Sequence, residues 1–342
     1  MAGYYFRLPA ITQLTIPQQS ALNEPRQIAL SGGPGTGKSV VSLWRHISNY
    51  ERDTPKLSFL LTYTTTLKQY LKACCHIQNI SAATNVGTLY RNKPTNNWDE
   101  IIVDEAQDMS TDYYHEIIKF GPISYGADDS QILYPEHCSR QVDLNNIFSE
   151  NINYTLDKNF RNTQRIMQFA KTAFPNANIP IAIIQGLENN IGEKPILLIS
   201  NGNRYDISND KQNDAIERIV NSFRADDHNI AVLVPWRKDA QAFEGILKIR
   251  KIEHSIFYED QERFPEGCED IDNVHITTFK SAKGLEFDTV IIPNFDIITR
   301  LPVYTCLWED LYVACTRAKS NLYLISNYDL PLLNNVVEIE IL

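Results

Sequence analysis

Glycines, a lysine and a serine stand at phosphate-binding spacing in Gly32-Gly33-Pro34-Gly35-Thr36-Gly37-Lys38-Ser39. The run fits G-x-x-x-x-G-K-[ST]. Its glycines let backbone N–H groups turn towards phosphate oxygens, with a helix N-terminus behind them adding positive potential. Lys38 can reach the β- and γ-phosphates, and the Ser39 hydroxyl can join a magnesium shell. An acidic run, Val103-Asp104-Glu105-Ala106-Gln107-Asp108, supplies the complementary chemistry. Asp104 is an oxygen donor for Mg2+, and Glu105 beside it is placed to polarise an attacking water. The two runs together imply that ATP or a related triphosphate is bound and hydrolysed.

Four further runs narrow the chemistry. Ala127-Asp128-Asp129-Ser130-Gln131 puts a carboxylate and an amide where a γ-phosphate could be sensed. Asn159-Phe160-Arg161-Asn162-Thr163 offers a ring for a base and a guanidinium for phosphate. Thr277 to Phe287 joins a strand to a small-residue turn through Thr278, Lys280 and Glu286, and Leu311 to Lys319 carries a second isolated arginine, Arg317. A guanidinium matched to a transferring phosphoryl group can be worth ~10³–10⁵ in rate.

The elements that must position these residues follow from periodicity. Strand-type runs cover Gln27–Leu30, Leu57–Tyr63, Glu100–Val103 and Pro122–Tyr125 in the first half. They cover Pro195–Ile199, Ile230–Val234, His254–Phe257, Val274–Thr277, Thr289–Ile292 and Asn321–Ile325 in the second. Helical spacing lies between them, at Val40–Tyr50, Leu67–His76, Asp112–Lys119, Thr163–Ala170, Asn213–Phe223, Asp239–Arg250 and Leu307–Ala314. Alternation of this kind argues for parallel α/β layers. The expected fold is α/β, with two RecA-like P-loop NTPase domains, mainly parallel sheets, and nucleotide in the cleft between them. A weakening of helical signal at Val142–Asn153 places the domain boundary there, giving 1–145 and 146–342. The polar runs Asn201–Asn213 and Glu259–Asn273 read as solvated connectors, and Asn335–Leu342 as an edge strand.

The 342 residues suffice for two such domains, and 43% hydrophobic with 22% charged residues is ordinary for a globular protein. No apolar run is long enough for a membrane helix. The N-terminus lacks a basic stretch followed by an apolar core, so no signal peptide is expected. Six cysteines, Cys74, Cys75, Cys138, Cys268, Cys306 and Cys315, show no metal spacing, which fits reduced thiols in a cytoplasmic protein. A net charge of −10 slows approach to nucleic acid unless a local basic groove offsets it.

Taken in order, these runs resemble the UvrD/Rep-type superfamily 1 DNA helicases over nearly the whole chain. Leu14 to Ala21 looks like the Q motif of that family, which implies that Gln18 reads the adenine edge. The resemblance implies that Gln131 senses the γ-phosphate, Phe160 stacks on adenine, Arg161 and Arg317 act as arginine fingers, and Glu286 lies near the ribose. It implies single-stranded DNA contacts at Tyr63, Thr64, Thr88, Tyr90, Thr278 and Lys280, and travel in the 3′→5′ direction. Three departures stand out. Val40 replaces an arginine that lies over the base, and Lys280 replaces a histidine. Tyr134-Pro135-Glu136-His137 stands where the family has a Trp-Arg stacking pair, so Tyr134 or His137 is the candidate substitute, with a core role for Tyr134 as the alternative. Gly87 to Asp104 and Phe257 to Val274 leave no room for the two accessory subdomains that the family inserts. The expectation is therefore a minimal motor using ATP and Mg2+ on single-stranded DNA. The alternative is an ATPase switch acting on a partner protein such as a nuclease, conceivably in phage defence. An RNA-directed motor is a weaker third reading.

Overall fold

The central strands are buried along their length, as a parallel sheet covered on both faces requires. The protein is described here by a computed structural model that defines residues 8–89, 93–132, 134–202, 209–225, 227–258 and 272–342. One compact unit runs up to Phe160 and a second from Arg161 to Leu342. This break lies downstream of the expected boundary at 145/146. Residues 152–155, read as the start of the second domain, form a strand that pairs with the strand before the glycine loop.

The first unit contains β1 (Ile28–Ser31), β2 (Ser58–Thr62), β3 (Val86–Thr88), β4 (Glu100–Val103), β5 (Ile123–Ala127) and β6 (Ile152–Thr155). They form one sheet in the order β3-β2-β4-β5-β1-β6, every pairing parallel. Its helices are α1 (Ile16–Asn23), α2 (Lys38–Glu51), α3 (Thr65–Gln78), α4 (Ile80–Thr84), α5 (Thr111–Ile117) and α6 (Gln141–Ile147). Side-chain caps fix several starts: Thr15 for α1, Thr64 for α3, Asn79 for α4 and Ser110 for α5 each accept from a backbone N–H in the first turn. The core under α2 holds Leu43, Trp44 and Ile47 against Leu60, Val86 and Ile102.

A charged pair is built into that core. Arg45 Nε lies 2.7 Å from Glu100 Oε1, each side chain only 2% exposed. Asn49 and Ser124 also donate to Glu100, while the remaining Arg45 nitrogens donate to the carbonyls of Ala21, Glu24 and Arg26. Full hydrogen bonding is the condition under which a buried ion pair is tolerated, and it locks α1, α2, β4 and β5 into one register.

The second unit begins with α7 (Gln164–Ala173) and α8 (Ile181–Gln185). It continues through β7 (Ile196–Ile199), α9 (Asp210–Phe223), β8 (Ile230–Val234), α10 (Arg237–Ile249), β9 (Ser255–Phe257), β10 (Val274–Thr278), β11 (Phe287–Ile292), α11 (Trp308–Cys315), β12 (Ala318–Ser326) and β13 (Glu338–Ile341). The sheet order is β13-β7-β12-β11-β8-β10-β9, again with every pairing parallel. Central β8, β10 and β11 are buried at every position. β13 is the edge strand expected from its alternation, exposed along its length. Of the polar runs, 203–208 and 259–271 lie outside the described residues, as do Tyr90 and Cys268, and α9 begins inside the first run at Asp210. Only 89–99 separates β3 from β4 and 258–273 separates β9 from β10, consistent with a chain lacking both inserted subdomains. Among the described residues no helix is long and apolar enough to cross a membrane.

Two buried histidines make stability pH-dependent. His46 on α2 places Nε2 3.0 Å from the Ala82 carbonyl and Nδ1 2.9 Å from Ser58 Oγ, so the proton sits on Nε2. Burial pulls its pKa down to about 4, and burial with nearby His254 pulls His275 down to about 3. Both values lie below the unfolded value. The stability these rings contribute is thus complete above roughly pH 6.5 and lost as pH falls towards roughly pH 4. Urea unfolding should lose on the order of 2 kcal/mol per histidine between roughly pH 7 and pH 5. His46→Gln should flatten that slope, and an unchanged slope would remove His46 as its source.

Candidate functional site

The loop between β1 and α2 is shaped by three glycines at positive φ, Gly32, Gly35 and Gly37, where a side chain would be strained. Gly32 has φ +147°, and a Cβ there would meet the Leu156 carbonyl oxygen at 2.2 Å. Gly37 has φ +87°, and a Cβ there would meet Gln18 Nε2 at 2.4 Å. Gln18 is buried and held at both ends of its amide: Oε1 accepts from the Thr15 N–H (2.9 Å) and Nε2 donates to the Thr36 carbonyl (3.0 Å). The residue expected at the adenine edge thus braces the loop from below. Pro34 and Thr36 are buried, Gly33, Gly35 and Ser39 are half-buried, and Thr36 Oγ1 donates to the Gly33 carbonyl at 2.9 Å.

Sheet order brings the acidic residues to this loop. β5 lies between β1 and β4, so the residues after all three strands share one edge. Lys38 Nζ donates to the carbonyls of Gly32 (2.7 Å) and Gly33 (3.0 Å) and lies 3.5 Å from Asp128 Oδ2. Gly126 on β5 separates Lys38 from Asp104: a Cβ there would lie 3.5 Å from Lys38 Cβ and 3.8 Å from Asp104 Oδ1. Both are ordinary contact distances, so β5 brings the base of the Lys38 side chain and the Asp104 carboxylate close together. Glu105 follows directly, buried, in the left-handed region at φ 59°, ψ 47°. A non-glycine residue there costs of order 1–3 kcal/mol and persists only where its surroundings impose it.

Gln107 is bonded to the Glu105 carboxylate, and sequence reasoning gave Gln107 no role. Its Nε2 donates to Glu105 Oε2 (2.6 Å), and its Oε1 accepts from the Asp128 N–H (3.1 Å). Asp128 in turn accepts from Gln131 Nε2 (2.5 Å) and from Ser130. Lys38, Asp128, Gln131, Gln107 and Glu105 therefore form one connected polar network. The Asp-Glu-x-Gln spacing in the sequence was the available signal for Gln107. Phe160 completes this unit's site. Its N–H donates to the Gly35 carbonyl at 2.8 Å, and its ring stands 48% exposed with Lys158 Nζ 5.1 Å from the ring centre. An exposed ring beside a phosphate loop is placed to stack on a base.

The second unit groups the remaining candidates. Asn162, fully buried, donates to the carbonyls of Thr316 and Ala318, and so ties the chain beside Arg161 to the turn that carries Arg317. Arg161 Nε lies 3.1 Å from Glu286 Oε2, and Lys319 Nζ lies 3.8 Å from Glu286 Oε1. Glu286, expected near a ribose, is here the partner of two cations. Arg317 is only 1% exposed, with Nε donating to the Val313 carbonyl (3.1 Å) and Nη1 to that of Leu285 (3.3 Å).

Residues 260–329, spanning Glu286 and Arg317, match the UvrD-like helicase C-terminal domain. Over that stretch the chain is similar to the UvrD-like helicases. It is 33% identical to the RecBCD enzyme subunit RecB of Chlamydia pneumoniae over 82 residues, 24% of this chain and 8% of that one. It is 26% identical to a protein of Acanthamoeba polyphaga mimivirus assigned as an ATP-dependent DNA helicase, over 67% of this chain and 35% of that one. The chain thus spans well under two thirds of either curated relative. A solved structure of S. cerevisiae Dbp5 bound to RNA and ADP with BeF3 covers 95% of this chain and 89% of its own at TM-score 0.56 and 12% identity, a likeness of fold.

The candidates for strand contact lie elsewhere on the two units. Tyr63 and Tyr134 meet, with ring centres 5.3 Å apart at 37°. Both are half-buried, so Tyr134 is a surface aromatic rather than core. Thr64 and Thr88 are buried, and the Thr64 hydroxyl accepts from the Leu67 N–H at the start of α3. In the second unit Thr278 is buried with Oγ1 3.0 Å from Ser281 Oγ, while Lys280 is half-buried with Nζ 3.8 Å from Asp310 Oδ1. Of these positions, Lys280 and the tyrosine pair reach the surface most.

Loop geometry generates one prediction. Gly37→Ala adds both a left-handed penalty and the contact with Gln18, and should lower stability by roughly 1–2 kcal/mol in chemical denaturation. Adding Gln18→Ala should recover the contact part, and full additivity of the two substitutions would show that the amide does not bear on Gly37.

Proposed function

We propose that this chain hydrolyses ATP with Mg2+ and couples the reaction to movement along single-stranded DNA, 3′→5′ as its family resemblance implies. The observation that carries the reading is the single network joining Lys38, Asp128, Gln131, Gln107 and Glu105 at the carboxyl ends of β1, β4 and β5. Backbone N–H groups of Gly35 to Ser39 would bind the phosphates. Lys38, already stripped of water by two carbonyls and a carboxylate, would exchange those partners for phosphate oxygens. Ser39 and Asp104 would hold the metal. Their oxygens suit a hard cation. Bound Mg2+ would neutralise charge developing on the phosphates.

Glu105 would take the proton of the attacking water, with Gln107 fixing the carboxylate's direction and Gln131 reporting the γ-phosphate through Asp128. Gln18, Gly33 and Pro34 would shape the nucleotide loop and Phe160 would stack on the base. Glu286 would orient Arg161 and lie near the ribose. Arg161 and Arg317 would act as fingers on the transferring phosphoryl. For Arg317 this requires exchange of its bonds to Val313 and Leu285. Tyr63, Thr64, Thr88, Tyr134, Thr278 and Lys280 would follow the strand.

A second reading is an ATPase switch on a partner such as a nuclease. The likeness to RecB, itself an enzyme subunit by name, supports it, as does the chain's lack of room for accessory subdomains.

Steady-state turnover with and without single-stranded DNA tests the first reading, with strong stimulation expected; stimulation by a co-purifying protein alone would favour the second. Glu105→Gln should bind an ATP analogue normally and lose more than ~10²-fold in turnover. Gln107→Leu should lower kcat with little change in nucleotide affinity, since it frees Glu105 without touching the loop. Arg161→Ala should slow turnover by ~10³-fold or more, and an effect confined to affinity would count against a finger.

A further inference from the structure

One edge of the second sheet is open. β13 stands at the end of the strand order, pairs with β7 alone, and is exposed at every position. Its inner bonds come from every second residue: the Glu338 N–H donates to the Pro195 carbonyl and the Leu342 N–H to that of Ile199, both at 2.9 Å. Backbone groups of successive strand residues point to opposite sides, so the N–H and C=O of Ile339 and Ile341 point away from β7. Two donors and two acceptors thus stand at strand spacing with no β-partner among the described residues, a ready template for another strand.

Side chains alternate along the same strand. Ile339 and Ile341, 42% and 75% exposed, share one face of the sheet. Glu338 and Glu340 share the other, where Arg218 Nη2 on α9 lies 3.8 Å from Glu340 Oε2. Both members of that pair are more than half exposed, so the carboxylate stays within reach of another cation. Lys211 in the first turn of α9 donates to the Leu342 carbonyl at 2.6 Å, which adds an anchor to the bonds with β7. The strand is held on its inner side and unoccupied on its outer one.

Charge decides what can join it. A second copy of the chain fits badly. Two β13 strands pairing antiparallel about a two-fold axis, with both outward residues engaged, set Glu340 opposite Glu340 or Glu338 opposite Glu340, because opposite residues share a face. Like charges in that position are destabilising and opposite charges favourable. A cationic strand with apolar residues at alternate positions satisfies every feature together. Its main chain pairs with Ile339 and Ile341, its lysines or arginines meet Glu338 and Glu340, and its apolar residues cover the two isoleucines. The net charge of −10 favours a basic partner at longer range as well. A helix leaves the outward backbone groups unpaired, and a nucleic acid is repelled by the glutamates.

We propose that β13 is a docking edge for an extended segment of a partner protein in which Lys or Arg alternates with apolar residues, added to the second sheet as a further strand. Main-chain bonds supply affinity in this mode, and the alternating side chains supply specificity. Strand addition here leaves the nucleotide loop untouched and fits either reading of function given above.

The test is fluorescence anisotropy of the full chain with a labelled peptide of alternating lysine and valine. Binding should weaken roughly 10-fold or more when the peptide is N-methylated at every second residue, which keeps its charge and removes its donors. Ile339→Pro should weaken it similarly with unfolding temperature near wild type, since proline is tolerated where an edge N–H faces solvent. Glu338→Lys combined with Glu340→Lys should turn the preference towards a peptide of alternating glutamate and valine. Equal binding of the plain and N-methylated peptides would overturn the proposal, leaving only general attraction between a basic peptide and an acidic chain. Absence of binding by the lysine peptide would overturn it too. So would a dimer of the free chain in sedimentation that Ile339→Pro converts to a monomer, because a second copy would then occupy the edge.

Discussion

The site depends on one constraint, the parallel register that seats β5 between β1 and β4. Parallel strands deliver their following residues to one edge of a sheet, and here that edge receives the glycine loop, the Asp104–Glu105 pair and Asp128. The Lys38–Asp128 pair at 3.5 Å is the direct outcome. The register itself is held from the far side by Glu100, at the start of β4. It accepts from Arg45 and Asn49 on α2 and from Ser124 on β5. A buried, fully bonded carboxylate at one end of β4 thus helps fix the position of the Asp104–Glu105 pair at the other.

Backbone strain and polar bonding coincide at several of the residues proposed to act. Glu105 holds a left-handed backbone beside a glutamine that bonds both its carboxylate and the Asp128 N–H. Left-handed Gly37 is braced by Gln18. Each is a local departure that the neighbouring packing imposes, the pattern expected where preorganisation matters more than local stability.

In the second unit, buried Asn162 joins two chain segments that are far apart in sequence and thereby sets Arg161 near Glu286. The arginines differ in environment. Arg161 is partly exposed and salt-bridged, whereas Arg317 is enclosed by backbone carbonyls. The charge balance differs from place to place as well. A chain that is acidic as a whole gathers Arg237, Lys238 and Lys280 along one groove of the second unit and Glu338 and Glu340 along the edge of its sheet, so net charge was a poor guide to its surface.

Apolar runs too continuous for a one-sided sheet announced parallel strands, and glycine-lysine spacing announced the loop after β1, because both follow from backbone geometry within a few residues. The resemblance to the UvrD/Rep-type helicases was legible for the same reason: its motifs are local and ordered. Short strands were not legible. Val86–Thr88 and Ile152–Thr155 carry little pattern of their own and become strands only by pairing with β2 and β1, which also moved the division of the chain to Phe160. Nor could spacing show that Gln18 braces the loop, that Gln107 holds Glu105, or that β13 turns the backbone groups of Ile339 and Ile341 away from β7. The sequence determined which groups were available and on which elements they ride. Only the tertiary structure decided which of them touch, because hydrogen bonds and ring contacts act over a few ångströms and depend on strand order, which local pattern does not encode.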